Sequence, residues 1–381
     1  MNPVLKTDHM AVGYGKSPLI RDICLHVKPG EIVTLIGPNG AGKSTILKSL
    51  TGQLKPLGGT VYLGGVPAER MTEKERARRL AAVMTDRVQP EMMTCRDVVA
   101  AGRYPYTGRL GILSGKDRAA VEEALSLVGG EELMERDFMK VSDGQRQKIL
   151  LARVICQEPE VLILDEPTSY LDARHRLELL SALKRLVKEK HTAVLMSLHE
   201  LDMAQRISDY VVCVGEGGIC RRGRPEEIFT SSIIEELYGL PEGSYLPEYG
   251  SLEFPPSPGK PEVFVIGGQG RGIPVYRRLQ REGIPFAAGI LYDNDMDVPA
   301  ARALAAEVIC AQAFEPVSEE VYRRAESVMD SCRQVICCLD RFGTFGEANR
   351  RLAERGREKM SKGGSPCAQE LQETGRLSDG F

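Results

Sequence analysis

Gly37-Pro38-Asn39-Gly40-Ala41-Gly42-Lys43-Ser44-Thr45 is the stretch that decides how this chain folds. It matches the pattern G-x-x-x-x-G-K-[ST], and its setting gives the pattern meaning. Before it, Glu31-Ile32-Val33-Thr34-Leu35-Ile36 is an apolar, β-branched run that reads as a buried strand. After it, Ile46-Leu47-Lys48-Ser49-Leu50 resumes at helical spacing. A strand, a glycine-rich turn and a helix in that order form a phosphate-binding loop. The glycines let backbone N–H groups curl around phosphate oxygens, and the helix N-terminus adds the positive end of its dipole. In such a loop residues 37–45 cradle the phosphates, Lys43 reaches the β- and γ-phosphates, and the Ser44 hydroxyl ligates Mg²⁺.

A chain of 381 residues is long enough for two domains and a tail. Apolar residues at 42% and charged residues at 27% are ordinary for a soluble globular protein. A net charge of −3 leaves no overall basic field to attract nucleic acid or an acidic membrane. No run approaches the roughly eighteen apolar residues that a bilayer span requires, and the N-terminus has no signal-peptide apolar core. The ten cysteines sit mostly in apolar strand-like runs, among them Cys156, Cys213, Cys310, Cys337 and Cys338. None shows metal-ligand spacing, so reduced, buried thiols of a cytoplasmic protein are expected.

Residues 4–12 and 23–36 read as opening strands, and Val12-Gly13-Tyr14-Gly15 between them is a turn carrying one aromatic ring. Tyr14 fits either a half-buried turn residue or a ring that stacks on a nucleotide base. Thr60-Val61-Tyr62-Leu63 is a short strand, and Arg70 to Arg79 is a helical run with a solvated, charged face. Residues 92–136 read as a helical subdomain, interrupted by Gly102-Arg103-Tyr104-Pro105 and by a loop at 108–115. Ser142-Asp143-Gly144-Gln145 then opens a long helix, with Ser142 as N-cap and Asp143 in the first turn.

Val161-Leu162-Ile163-Leu164 is another buried strand, and it runs into Asp165-Glu166-Pro167-Thr168. Two successive carboxylates at the end of an apolar strand are costly without partners. Beside a phosphate loop both acquire a purpose. Asp165 helps hold Mg²⁺, and Glu166 orients and deprotonates the attacking water. Ala193-Val194-Leu195-Met196 is a further strand, ending at Ser197-Leu198-His199-Glu200. His199 then shares the sheet edge where parallel α/β sheets bind ligands, within reach of a γ-phosphate.

In this order, these residues resemble an ABC-transporter ATP-binding subunit of the ferric-siderophore, haem and cobalamin importer type. The resemblance covers residues 4 to about 240. It rests on the loop at 37–45, a signature-like Val141-Ser142-Asp143-Gly144-Gln145, and the strand ending Asp165-Glu166. Leu171-Asp172 stands as D-loop, His199 as switch histidine, and Tyr14 where an aromatic ring stacks on adenine. The resemblance implies a P-loop NTPase α/β fold with a helical subdomain over about 86–158. It implies ATP and Mg²⁺ as ligands, and ATP hydrolysis coupled to transport. It also implies a head-to-tail sandwich with a second copy. Each ATP then lies between one copy's loop and the other's Ser142, Gly144 and Gln145, with Asp172 nearby. Integral membrane permease subunits and, indirectly, an extracytoplasmic substrate-binding protein complete the machine, which sits on the inner face of the cell membrane.

Two departures stand out. Asp143 replaces the first of the two glycines that usually follow the signature serine, a variant similar to that of iron-chelate and cobalamin importers. Met93 to Val99 and Gly102-Arg103-Tyr104-Pro105 resemble that group as well. The Q-loop glutamine falls near Thr85, and only Thr85, Asp86 or Gln89 could replace it. A soluble cassette protein acting on ribosomes or nucleic acid is a rival class. One cassette, no heptads and no zinc spacing speak against it, so no nucleic-acid partner is expected.

The remaining chain reads as a second domain. Residues 241–261 form a linker that carries Pro255, Pro256, Pro258 and Pro261. Val263-Phe264-Val265-Ile266, Phe286 to Leu291 and Val335 to Leu339 are strands, so residues 262–355 form a small Rossmann-like α/β domain. Gly267-Gly268-Gln269-Gly270-Arg271-Gly272 follows its first strand, and Asp293 lies about where a dinucleotide fold places its ribose acid. Ile273 breaks the G-x-G-x-x-G spacing. A bound small ligand, a docking role and a nucleotide-sensing role all remain open for this domain. Residues 356–381, rich in Gly, Ser, Lys and Glu, read as a disordered tail.

Overall fold

The computed structural model describes residues 2–84, 90, 92–108 and 111–362. The chain divides into one unit spanning Met1–Gly239 and a second from Leu240 onward.

The core of the first unit is a six-stranded sheet. Its order is Gly218–Gly223, Tyr210–Gly215, Ile32–Ile36, Ala193–Ser197, Val161–Asp165 and Leu80–Val83. All neighbours are parallel except the first pair. Strands covered by helices on both faces must be apolar at every position, not alternately. Ile32–Ile36, Val161–Asp165 and Ala193–Ser197 are accordingly buried throughout. An antiparallel layer covers one side. In it, Leu5–Val12 pairs with Ile20–Ile23, His26–Val27 and Gly58–Leu63. Here burial alternates, and Leu5, Met10, Ile23 and Leu63 join the core cluster of Leu35, Ile46 and Leu195.

Register fixes what meets at the carboxyl edge. Ser197 lies opposite Leu35 on one side and Asp165 on the other. The phosphate loop, which begins one residue after Ile36, therefore emerges two strands from Asp165-Glu166, with Ser197-His199 between them.

Helices Cys95–Ala100, Gly115–Leu127 and Asp143–Cys156 build the helical region. Each starts with a reciprocal capping box, Thr94/Asp97, Ser114/Asp117 and Ser142/Gln145. Arg103, from the Gly102-Arg103 break, is its buried tie. The guanidinium donates to Asp117 at 2.9 Å, to the Cys156 carbonyl at 2.7 Å and to Glu158 at 2.7 Å, and it stacks 4.0 Å over the Tyr106 ring.

The second unit holds a four-stranded parallel sheet in the order Glu307–Ala311, Phe286–Tyr292, Val263–Ile266 and Gln334–Cys337. Separate apolar clusters form its two faces, one around Tyr276 and Phe286 and one around Phe264 and Met329. Glu307–Ala311 is a strand that sequence periodicity did not reveal. The Pro-rich segment is not merely a linker, since Tyr245–Leu246 and Ser251–Leu252 pair as a small hairpin with Tyr245 and Leu246 buried.

The disordered tail expected from residue 356 is corrected as far as 362, because helix Glu347–Lys362 continues through it. Composition missed its anchors. Leu352 and Ala353 are buried, Arg355 pairs with Glu326 and Asp330, and Lys359 donates to the carbonyls of Met329, Asp330 and Cys332. Residues 363–381 lie outside the described residues. Nine described cysteines are free thiols, and Cys337, expected to be buried, is exposed.

Candidate functional site: a phosphate loop facing paired carboxylates

The loop turns tightly because Gly37 takes a φ of 144°. A Cβ there would come within 2.0 Å of the Val214 carbonyl oxygen, so only glycine fits. The Gly37 N–H donates to the Tyr238 hydroxyl at 3.0 Å, fixing the loop to a helix some two hundred residues away. Helix Lys43–Thr51 follows, with no acidic residue in its first turn to compete for an anion. The Lys43 ammonium donates to the carbonyls of Gly37 (2.6 Å) and Pro38 (3.0 Å). It is 5% exposed, and burial pulls it below the ordinary lysine value, opposed by Glu166 and Asp165. A cation held in this way is poised to exchange weak carbonyl partners for phosphate oxygens.

Across from it, the Ser44 hydroxyl donates to Asp165 Oδ1 at 3.1 Å, and the Ser197 hydroxyl donates to the same oxygen at 2.8 Å. Ser197 also accepts the Glu166 N–H at 2.9 Å. Glu166 sits at φ 50°, a left-handed conformation that a non-glycine residue holds only when its surroundings enforce it. Its carboxylate is held at both oxygens, by His199 Nε2 at 2.6 Å and by the Ser169 hydroxyl at 3.1 Å. Lys43, Ser44, Asp165, Glu166 and His199 are thus one constellation. Ser44 and Asp165 offer hard oxygen donors side by side, which suits Mg²⁺.

Ser197, Ser169 and Tyr238 had no role in the sequence reading. Only Ser197 left a signal, as the last residue of a strand that flanks both the loop and the carboxylates.

The remaining candidates lie elsewhere. Tyr14 is 63% exposed, its ring free to cover a base. Ser142 and Gln145 satisfy each other at the exposed start of their helix. Gly144 lets the His175 ring approach, since a Cβ would come within 2.9 Å of it. Asp172 caps the next helix, and the His175 N–H it accepts at 2.8 Å holds its carboxyl below the usual range. Thr85, Asp86 and Gln89, the Q-loop candidates, lie outside the described residues.

In the second unit the glycine loop already holds carboxyl groups of the chain's own. Gly268 and Gly272 donate their N–H groups to Asp297 at 2.6 and 2.8 Å, and Gln269 donates to Asp295 at 3.0 Å. Asp297 is fully buried, and that burial raises its carboxyl above the usual range. Asp293 accepts from the Ala313 N–H instead. The loop N–H groups that a dinucleotide fold would turn toward a phosphate are here satisfied by carboxylates, in keeping with the spacing that Ile273 breaks.

The ABC transporter family model matches residues 20–169, and the model of the MJ0874 family matches residues 286–367. An uncharacterized ABC transporter ATP-binding protein of Methanocaldococcus jannaschii, MJ0873, is 42% identical over 289 residues, 76% of this chain and all of that protein. The iron(3+)-hydroxamate import ATP-binding protein FhuC of Bacillus subtilis is 37% identical over 62% of this chain and 88% of its own length. The cobalamin import ATP-binding protein BtuD of Halobacterium salinarum is 33% identical over 74% of this chain and 73% of its own. Among solved structures, cbiO1 of Clostridium perfringens, part of the ABC transporter complex cbiONQ, has a TM-score of 0.55 at 26% identity. It covers 62% of this chain and 94% of that one. The chain belongs to the family of ABC transporter ATP-binding proteins and is an ATPase of that family, with hydrolysis coupled to transport.

Proposed function

We propose that this ATPase energises an importer for an iron complex, a ferric siderophore or haem, or for cobalamin. The observation that carries the chemistry is the convergence of Lys43, Ser44, Asp165, Glu166 and His199 on one sheet edge. FhuC and BtuD, whose names specify iron(3+)-hydroxamate and cobalamin import, support the substrate class.

In this reading the N–H groups of residues 37–45 cradle the ATP phosphates, Tyr14 covers the base, and Lys43 moves from its loop carbonyls onto the β- and γ-phosphates. Ser44 and Asp165 hold Mg²⁺, which when bound neutralises charge developing on the phosphate oxygens. Glu166 takes the proton of the attacking water, and His199 keeps that carboxylate aimed while reaching the γ-phosphate.

Ser142, Gly144 and Gln145 stand at an exposed helix start and address the nucleotide of a second copy, as does Asp172. The active form is then a head-to-tail dimer docked on integral membrane permease subunits at the inner face of the membrane. An extracytoplasmic substrate-binding protein supplies the solute. The test is disruption of the chain in its host, followed by uptake of radiolabelled ferric hydroxamate, haem and cobalamin. Loss of one uptake is expected. Undiminished uptake of all three would overturn the import assignment and leave the ATPase chemistry standing.

A further inference from the structure

The antiparallel layer carries a side-chain cluster that ATP chemistry does not use. Along Leu5–Val12 and Ile20–Ile23, Met10 faces Ile23 in register, and both are fully buried. Alternation therefore turns the flanking His9, Asp22 and Cys24 to the outer face. Two of the three are in left-handed backbone, His9 at φ 44° and Asp22 at φ 56°. At His9 the pairing with Gly58–Leu63 also slips, between Asp8 and Ala11.

These irregular positions bring three different side chains together. His9 Nδ1 bonds to Asp22 Oδ1, and the Cys24 sulfur lies 4.0 Å from each of those atoms. One imidazole nitrogen, one carboxylate oxygen and one sulfur all lie within 4.8 Å of one another, the one such cluster among the described residues. Both His9 and Asp22 are more than 70% exposed, so a cation has open access and room for water as a fourth ligand.

We propose that His9, Asp22 and Cys24 form a binding site for a divalent transition-metal cation of the zinc class. The donor set decides the class. Thiolate with imidazole favours zinc and its neighbours, whereas Mg²⁺ and Ca²⁺ prefer oxygen alone. Tetrahedral zinc places nitrogen and sulfur ligands about 3.5 Å apart, so the Cys24 sulfur closes in by about half an ångström while the His9 and Asp22 side chains rotate apart to admit the cation between them. Binding releases the Cys24 thiol proton to solvent, and the cation replaces the proton shared by His9 and Asp22.

The site would staple the open end of the two strands whose connecting turn carries Tyr14. It is separate from the phosphate loop and from every residue assigned to hydrolysis, and it does not depend on the import reading.

Co²⁺ serves as the spectroscopic probe, titrated into the reduced full-length chain without nucleotide and followed by Zn²⁺ competition calorimetry. The expected result is one equivalent bound with a thiolate-to-Co²⁺ absorption band, displaced by Zn²⁺ and untouched by Mg²⁺. Cys24→Ser should abolish the band, and His9→Asn should weaken binding by at least about tenfold. Basal ATPase should be unchanged in both variants, which confirms that they fold. No binding, a band that persists in Cys24→Ser because Cys220 or Cys337 supplies the thiolate, or equal competition by Mg²⁺ would overturn the assignment.

Discussion

Ser197→Ala removes one hydroxyl and should damage both stability and catalysis. The side chain is fully buried, donates to Asp165 at 2.8 Å and accepts the Glu166 N–H at 2.9 Å. Losing a hydrogen bond to a charged carboxylate costs about 1.5–3 kcal/mol, and orphaning a part-buried N–H costs about 1–2 kcal/mol. Asp165 keeps the Ser44 hydroxyl, which softens the first loss, so about 2–4 kcal/mol is the net expectation. For a unit of this size that lowers the Tm by roughly 5–10 °C. Glu166 also loses the bond that holds it at φ 50°. A displacement of about 1 Å in a catalytic base costs on the order of 10²-fold in rate. Differential scanning calorimetry and steady-state Mg·ATP hydrolysis read the two effects. A Tm and a kcat both indistinguishable from the parent protein would refute the bridging role of Ser197.

Arg103→Ala strips a buried cation from Asp117 and Glu158 and should cost about 3–5 kcal/mol in urea unfolding, and a loss below about 1 kcal/mol would sink that reading. Asp117 is held at about 2 by the Ser114 hydroxyl and N–H and then by Arg103, against an ordinary 3.8. A depressed folded value stabilises above the unfolded one, so this contribution is present above about pH 4 and is lost as pH falls toward 2. Asp117→Asn should flatten that acid limb in a pH series of thermal melts, and an unaltered limb would contradict the assignment. Tyr14→Ala removes a stacking surface worth about 1–3 kcal/mol, raising the Kd for ATP by about 5–150-fold in a fluorescent-nucleotide titration. An unchanged Kd would return Tyr14 to a plain turn residue.

Most of the candidate site was legible because its parts are local. A strand that ends in two acids, and a loop that needs glycine between strand and helix, are written in consecutive residues. The capping boxes were half legible, since Ser142 announces a helix start, whereas the return bond from Gln145 shows only in the structure. Ser197 and Tyr238 were not legible as site residues, because sheet register and a contact across two hundred residues bring them to the loop. The glycine loop of the second unit left its role open for a related reason. Its pattern signals N–H groups available to an anion, and what fills them, Asp297, lies 25 residues beyond Gly272. The last helix was hidden by a polar composition whose arginine and lysine side chains find tertiary partners.

The central claim is that Glu166 is the base of a site completed by a second copy of the chain. Glu166→Gln keeps the shape while removing the proton acceptor, and sedimentation in Mg·ATP together with turnover reads both halves of the claim. The variant should bind ATP, shift from monomer to a stable dimer, and hydrolyse about 10²–10⁴-fold more slowly. Near-normal turnover, or a variant that binds ATP and stays monomeric, would contradict it.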